Sequence, residues 1–165
     1  MASSKFPWGF KPQQAVLTLL LTTGAVVAAH ADSERARTAN TPKYEQECAA
    51  CHLAFPPGML PAGSWQHLMG SLNKHYGTDA SLDDATQREL TGWLKANAGT
   101  YKRVSEEPPQ DRITKSAWFV RKHREGEVPS DVWKRASVGS PSNCVACHAN
   151  AAKGNFNEHE VRIPR

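Results

Sequence analysis

The most hydrophobic stretch of the chain lies close to its N-terminus. Residues 15–28 read AVLTLLLTTGAVVA, and this run follows two lysines and precedes the tripeptide Ala-His-Ala at 29–31. A basic start, an apolar run and a small-residue cleavage site are typical of a secretory signal. We therefore predict a signal peptide over residues 1–31, cleaved after Ala31, which leaves a mature chain of 134 residues.

Two short amphipathic stretches follow in the mature chain. The first begins at Pro42 and predicts a helix that runs into the first cysteine pair, before a Pro- and Gly-rich loop at 55–61. The second predicts a helix over 65–75 with Ser64 as its N-cap. Its apolar residues recur at i, i+3, i+4 and i+7, as helical periodicity requires: Trp65, Leu68, Met69 and Leu72.

The third amphipathic stretch gives the clearest helical pattern in the chain, over residues 82–97. Ser81 is its predicted N-cap, acidic residues occupy its first turn, and Gly99 can end it. Leu90, Trp93 and Leu94 form an apolar stripe on one face. This helix is therefore predicted to be amphipathic.

Apolar periodicity becomes irregular beyond Gly99. Residues 101–111 contain the run EEPP, which disfavours helix and suggests a boundary, and only a short helix is predicted further on, near 131–136. We therefore predict a mainly α protein with a small helical module over 32–100 and a second, irregular helical module over 101–165.

Composition shows that side chains alone would make a thin core. The mature chain has 7 Leu, 2 Ile, 7 Val and 3 Phe, 19 of 134 residues, a level found in disordered proteins. Its 18 basic and 16 acidic residues nearly balance, however, whereas disorder usually accompanies high net charge. The same balance argues against nucleic-acid binding, and no second apolar run is long enough to span a membrane. A cofactor is therefore expected to complete the core.

All four cysteines belong to two copies of the pattern C-x-x-C-H, at Cys48-x-x-Cys51-His52 and Cys144-x-x-Cys147-His148. This is the attachment motif of c-type haem: the two thiols form thioethers and the adjacent histidine is the proximal iron ligand. We therefore predict two covalently attached haem c groups.

Three other interpretations of the cysteines compete with haem attachment. Structural disulfides and a four-cysteine zinc site would both leave the two histidines without a role. A thioredoxin-like redox motif requires a βαβ context, and no strand-rich pattern surrounds either site.

The sixth iron position decides between electron transfer and ligand chemistry. Residues 48–97 resemble the small class I cytochromes c, in which the distal methionine lies on a loop before the final helix. His75 occupies that position here and is our distal candidate for the first haem, with His67 as the alternative. Met59 and Met69 are interpreted as a loop contact and a core residue.

For the second haem, His123 follows an aromatic segment and precedes His148 by 25 positions, so it is the distal candidate. His159 lies in a polar tail and is the weaker alternative.

Over nearly all of the mature chain, the sequence resembles the bacterial periplasmic dihaem cytochromes c of the DHC type. One departure is Tyr76, where the family pattern favours Phe. The matching segments are Cys48-x-x-Cys51-His52, Leu60-Pro61-Ala62-x-Ser64-Trp65, Leu72-x-x-His75-x-Gly77-x-Asp79-Ala80-Ser81-Leu82, Arg112-Ile113-Thr114, Trp118-Phe119-x-x-x-His123, Ser142-Asn143-Cys144-x-x-Cys147-His148 and Gly154-x-Phe156.

The resemblance implies two low-spin haems with histidine on both faces and electron donation to another haem protein, such as a small oxygen-binding monohaem cytochrome. We expect a monomeric electron carrier rather than an enzyme. Two alternatives stay open: an electron-transfer subunit of a periplasmic reductase, of the nitrate reductase small-subunit type, and a dihaem peroxidase, for which the chain is short.

Overall fold

The computed structural model describes Met1 and residues 39–165. The predicted signal peptide, apart from Met1, and its cleavage site lie outside these residues. The described part of the chain is helical and contains no β-strand, which confirms the mainly α prediction. Its α-helices are α1 (Pro42–Cys48), α2 (Ala62–Gly70), α3 (Asp84–Ala96) and α4 (Ala117–Lys122).

Short 3₁₀ turns connect the helices and make up most of the helical structure in the C-terminal half. They are Pro57–Met59, Leu72–Lys74, Lys102–Val104, Pro109–Asp111, Ile113–Lys115, Val132–Lys134, Cys144–Ala146, Ala151–Lys153 and Glu158–Glu160. The helix predicted near 131–136 is only the turn Val132–Lys134, because Arg135 is already extended (φ −65°, ψ 136°). In the described residues no helix is both long enough and apolar enough to cross a bilayer.

The first helix begins and ends as its sequence predicts. The Thr41 side chain accepts a hydrogen bond from the backbone N–H of Tyr44, and Pro42 occupies the first turn, where its missing N–H costs nothing. Tyr44 is buried and its hydroxyl donates to the Phe55 carbonyl at 3.0 Å. This bond holds the loop after the first cysteine motif against α1.

The second helix is shifted toward the N-terminus relative to its prediction. It spans Ala62–Gly70 with Pro61 as N-cap, whereas Ser64 is a fully buried residue within the helix. The prediction of Ser64 as N-cap and of a helix reaching His75 was therefore wrong. Proline favours a helix start because it lacks the N–H that a first turn leaves unpaired. At the other end of the helix, the Ser71 hydroxyl donates to the His67 carbonyl.

The third helix is capped by a different residue from the one predicted. Asp83, not Ser81, is the N-cap, and its carboxylate accepts from the backbone N–H groups of Ala85 and Thr86, both at 3.0 Å. Ser81 instead hydrogen-bonds to Asp79. The helix starts at Asp84, so the preceding residue, Asp83, is in the N-cap position. Aspartate caps a helix as well as serine does.

Packing between α2 and α3 forms the main core. The Gln87 side chain also donates to the Met69 carbonyl and ties the two helices together. The buried cluster combines residues from α1, the following loop, α2 and α3: Tyr44, Ala54, Leu60, Trp65, Met69, Leu90 and Leu94. Burial of these side chains accounts for most of the stability that the N-terminal half can obtain without a cofactor.

Gly99 does not end α3, which stops at Ala96 with Asn97 as C-cap. Its role is close approach: a Cβ at this position would lie 2.6 Å from the Gly58 carbonyl oxygen and 2.6 Å from Val104. The chain therefore crosses over the 57–59 turn here, as it leaves the N-terminal half.

Candidate haem-iron ligand sites

The first C-x-x-C-H motif follows directly from α1. Cys48 is the last residue of this helix, and the chain then turns so that Cys51 and His52 face outward. His52 Nδ1 lies 2.7 Å from the Leu53 carbonyl oxygen, and its ring stacks on Phe55 at a centroid distance of 5.3 Å. A carbonyl at Nδ1 fixes the tautomer and leaves Nε2 available for a metal.

His75 lies opposite His52. The two ring centroids are 6.0 Å apart and the rings are inclined by 26°. His75 ends the turn Leu72–Lys74, where its N–H donates to the Leu72 carbonyl. The structure therefore brings together the two residues that sequence reasoning paired.

A strained tight turn after His75 sets the direction of that side chain. Tyr76 and Gly77 have φ values of 50° and 98°, and Thr78 N–H donates back to the His75 carbonyl at 3.0 Å. Positive φ suits glycine but is unfavourable for tyrosine. Two contacts hold Tyr76 there: its hydroxyl donates to the Gln110 carbonyl at 3.0 Å, and the Arg112 guanidinium lies 4.0 Å from its ring centroid.

The second distal candidate is positioned by a helix end. Ser116 caps α4 by accepting from Phe119 N–H, and His123 is the residue that follows the helix. His123 Nδ1 lies 3.0 Å from the Phe119 carbonyl oxygen, and the two rings stack at 4.0 Å with an angle of 15°. Trp133 adds a third ring at 6.1 Å.

His148 faces His123 across a similar gap. Their centroids are 6.3 Å apart, but here the rings are inclined by 69°. Phe156 packs on His148 at 5.5 Å, and Arg162 N–H donates to the Cys147 carbonyl at 3.0 Å. The C-terminal tail thus folds over the second motif.

Both gaps fit a single metal ion. With imidazole–metal bonds of about 2.0–2.1 Å, as known for zinc, and ring centroids about 1.1 Å behind the bonding nitrogens, a linear arrangement separates two centroids by roughly 6.3 Å. The measured separations are 6.0 Å and 6.3 Å. The residue types and the centroid separations are therefore compatible with an iron held between two histidines.

Electrostatics favours the neutral imidazoles that metals bind. Burial lowers the pKa of His75, and the neighbouring His52 and Arg112 lower it further. Burial also lowers the pKa of His123, although the hydrogen bond to the Phe119 carbonyl raises it in part. Burial lowers the pKa of His148, and the neighbouring His123 lowers it further. Neutral rings retain the nitrogen lone pair that coordination requires.

No disulfide joins any two of the four cysteines. Burial, with a smaller contribution from Glu47, raises the pKa of Cys48 to about 11, and burial raises that of Cys144 to about 11. Within the described residues the cysteines also do not gather into a group that could hold a metal. The arrangement of the described residues therefore gives no support to the disulfide and four-cysteine zinc interpretations.

The alternative distal candidates are both exposed. His67 is exposed near Glu107 and Asp111, and His159 is exposed in the turn Glu158–Glu160. Met69 is buried in the main core, as expected, and Met59 is buried in its 3₁₀ turn.

Comparison with known proteins shows the family of this chain. The dihaem cytochrome c family model (DHC) matches residues 44–156. The chain belongs to the dihaem cytochrome c family. It carries two covalently bound haem c groups and is an electron-transfer protein by family, which confirms the cofactor prediction. No curated protein matches the sequence.

Three solved structures are similar to this dihaem cytochrome c. The diheme cytochrome c from Rhodobacter sphaeroides is 40% identical, with a TM-score of 0.63, and the match covers 71% of this chain and 97% of that one. DHC purified from the same organism is 42% identical, with a TM-score of 0.61 and the same coverage. The diheme cytochrome c from Shewanella baltica OS155 is 36% identical, with a TM-score of 0.65 and coverage of 74% and 92%.

Sequence reasoning missed two contributors to these sites. The first is Trp133, whose ring lies near His123. An aromatic residue in a segment poor in aliphatic residues is a signal that could have indicated a place beside the haem. The contact between Arg112 and Tyr76 joins residues 36 positions apart, and no local pattern indicates it.

Proposed function

We propose that this protein is a periplasmic one-electron carrier with two low-spin haems, each held between two histidines. His52 and His75 would be the axial ligands of the first iron, and His148 and His123 those of the second. Cys48 and Cys51 would form the thioethers of the first haem, and Cys144 and Cys147 those of the second. The observation that carries the proposal is the presence of two facing histidine pairs, each at the spacing of a shared metal ion.

Coordinative saturation favours electron transfer over catalysis. An iron with histidine on both faces has no open position for a substrate or for oxygen, and its surroundings change little when it gains an electron. Around the second pair, Phe119 and Trp133 pack near the His123 ring and Phe156 packs near the His148 ring. The chain is therefore proposed as a carrier rather than an enzyme.

Localisation and module boundaries belong to the same proposal. Bacterial c-type cytochromes are generally exported, and residues 1–31 have the composition of a signal peptide that is cleaved after Ala31. The mature protein would then consist of a class I-like haem module over 32–100 and a second haem module over 101–165, acting as a monomer.

The partner is expected to be another haem protein. Redox encounters are usually small and transient, so that an electron carrier releases its partner after each transfer. A small high-spin, oxygen-binding monohaem cytochrome would accept electrons from this chain. Mixing the reduced protein with such a cytochrome in a stopped-flow spectrometer tests this directly, since the two haem spectra report donor and acceptor separately.

A ligand exchange tests the axial assignments. His75→Met and His123→Met should each raise the reduction potential of one haem by on the order of 100 mV, within the roughly 0.8 V range that axial ligands span, because methionine stabilises the ferrous state. Spectroelectrochemical titration measures both potentials in each variant. His67→Met and His159→Met are matched controls and should leave both potentials unchanged. If a control shifts a potential and its test variant does not, the distal assignment is wrong.

A further inference from the structure

A cluster of three metal-ligating side chains lies outside both histidine pairs. His67 Nδ1 is 3.5 Å from Asp111 Oδ2 and 3.8 Å from Glu107 Oε2, and the three donor atoms all lie within 4.8 Å of one another. His67 lies in the last turn of α2. Glu107 lies just before the 3₁₀ turn Pro109–Asp111, and Asp111 is the last residue of that turn.

The backbone brings these side chains together from two separate segments. The Glu107 carboxylate lies over Gly63 of α2, where a Cβ would be 1.7 Å from Oε1, so the absence of a side chain at Gly63 leaves room for it. Asp111 has φ 54° and follows Gln110 with φ 59°, a conformation that non-glycine residues seldom adopt. The side chain of Asp111 is only 19% exposed.

The charge of the cluster favours a cation. Two carboxylates converge on one imidazole, and among the described residues the ion pairs of Glu107 and Asp111 are with His67 alone. Arg112, the next residue along, is directed to the Tyr76 ring instead. Among the described residues, His67 is therefore the group that faces both carboxylates.

The donor types match a tetrahedral zinc site, and the two separations from His67 lie near the spacing of one. Zinc binds histidine nitrogen and carboxylate oxygen at about 2.0–2.2 Å, which places tetrahedral ligand atoms about 3.3–3.6 Å apart. The two measured separations from His67 Nδ1, 3.5 Å and 3.8 Å, require only small side-chain adjustments to reach that range.

We propose that His67, Glu107 and Asp111 form a surface site for a divalent transition-metal ion, zinc by donor set, with water as the fourth ligand. This site is independent of the haems and of the proposed electron-carrier function. Because it joins α2 to the segment that leads into the second module, the bound ion cross-links the two segments. Binding to the folded state alone should also raise the melting temperature.

Zinc titration of the haem-loaded, untagged mature protein tests the site. Isothermal titration calorimetry with zinc chloride should give one saturable site per chain, and a thermal melt followed at the haem Soret band should shift upward with zinc. His67→Gln and Asp111→Asn should each weaken binding by at least about tenfold, since each removes a ligand. His159→Gln is the matched control, because His159 is also exposed and stands between two glutamates.

Three outcomes would overturn the proposal: no saturable binding, binding that survives both ligand substitutions, or binding that is lost in His159→Gln.

Anomalous scattering at the zinc edge from a crystal soaked in zinc is an independent test. A peak within bonding distance of His67, Glu107 and Asp111 supports the site, whereas zinc found only elsewhere contradicts it. If the three side chains form ion pairs alone, zinc will leave both the melt and the anomalous map unchanged.

Discussion

The two halves of the molecule hold the same five-residue motif on different scaffolds. In the N-terminal half, α2 and α3 pack across a cluster of seven buried side chains, including Leu90 and Leu94. The C-terminal half has the six-residue helix α4 and a series of 3₁₀ turns, with isolated buried residues such as Val132 and Val138.

Each half also positions its distal histidine by a different device. His75 follows a 3₁₀ turn and precedes a tight turn with positive φ values, whereas His123 ends a helix and is fixed by the carbonyl and ring of Phe119. Aromatic rings surround the second pair where aliphatic side chains are scarce. The motif C-x-x-C-H therefore specifies haem attachment and a proximal ligand, while the rest of a haem site can be built in more than one way.

The largest expected effect follows from the smaller number of buried side chains that pack together in the C-terminal half. The double substitution Cys144→Ser and Cys147→Ser prevents attachment of the second haem, and the 101–165 segment should then lose its ordered structure because few side chains replace the porphyrin. In the matched pair Cys48→Ser and Cys51→Ser, part of the α2–α3 packing should persist. Amide hydrogen exchange, read by mass spectrometry, reports both segments. Equal loss of protection in the two variants would contradict the comparison. Without either haem, most of the chain should be unfolded, and residual protection should be confined to α2 and α3.

A smaller effect is expected from single core truncations. Leu94→Ala should lower the free energy of unfolding by about 2–5 kcal/mol, since Leu94 is fully buried in the main core. Val132→Ala, which removes two carbons from the second half, should cost about 1–2 kcal/mol. Denaturant unfolding of the holoprotein measures both values. The comparison fails if the Val132 variant is the less stable of the two.

The smallest expected effect concerns a single charge beside the first pair. Arg112→Gln removes a cation that stacks on Tyr76 near His75, and a cation stabilises the reduced iron. The potential of the first haem should fall by about 20–60 mV, where 59 mV corresponds to a tenfold change in a one-electron equilibrium. The second haem should be unaffected. Arg88→Gln, an exposed arginine in α3, is the control for general charge effects.

Much of this architecture could be predicted because its information is local. Helix α3 carries a full apolar stripe, and each attachment motif occupies five consecutive residues. Helix α4 was not predicted, because six residues are too few to show a period. The shifted start of α2 and the contact of Arg112 with Tyr76 depend on tertiary packing, which the local pattern does not contain.

The central claim is that both irons are held between two histidines, with His75 and His123 as the distal ligands. Carbon monoxide binding to the dithionite-reduced protein tests it most directly, because only an iron with an open position binds the gas. We expect no binding by the wild-type protein, one equivalent by His75→Ala or His123→Ala, and two by the double variant. Rapid binding to the wild type, or none to either single variant, would contradict the account.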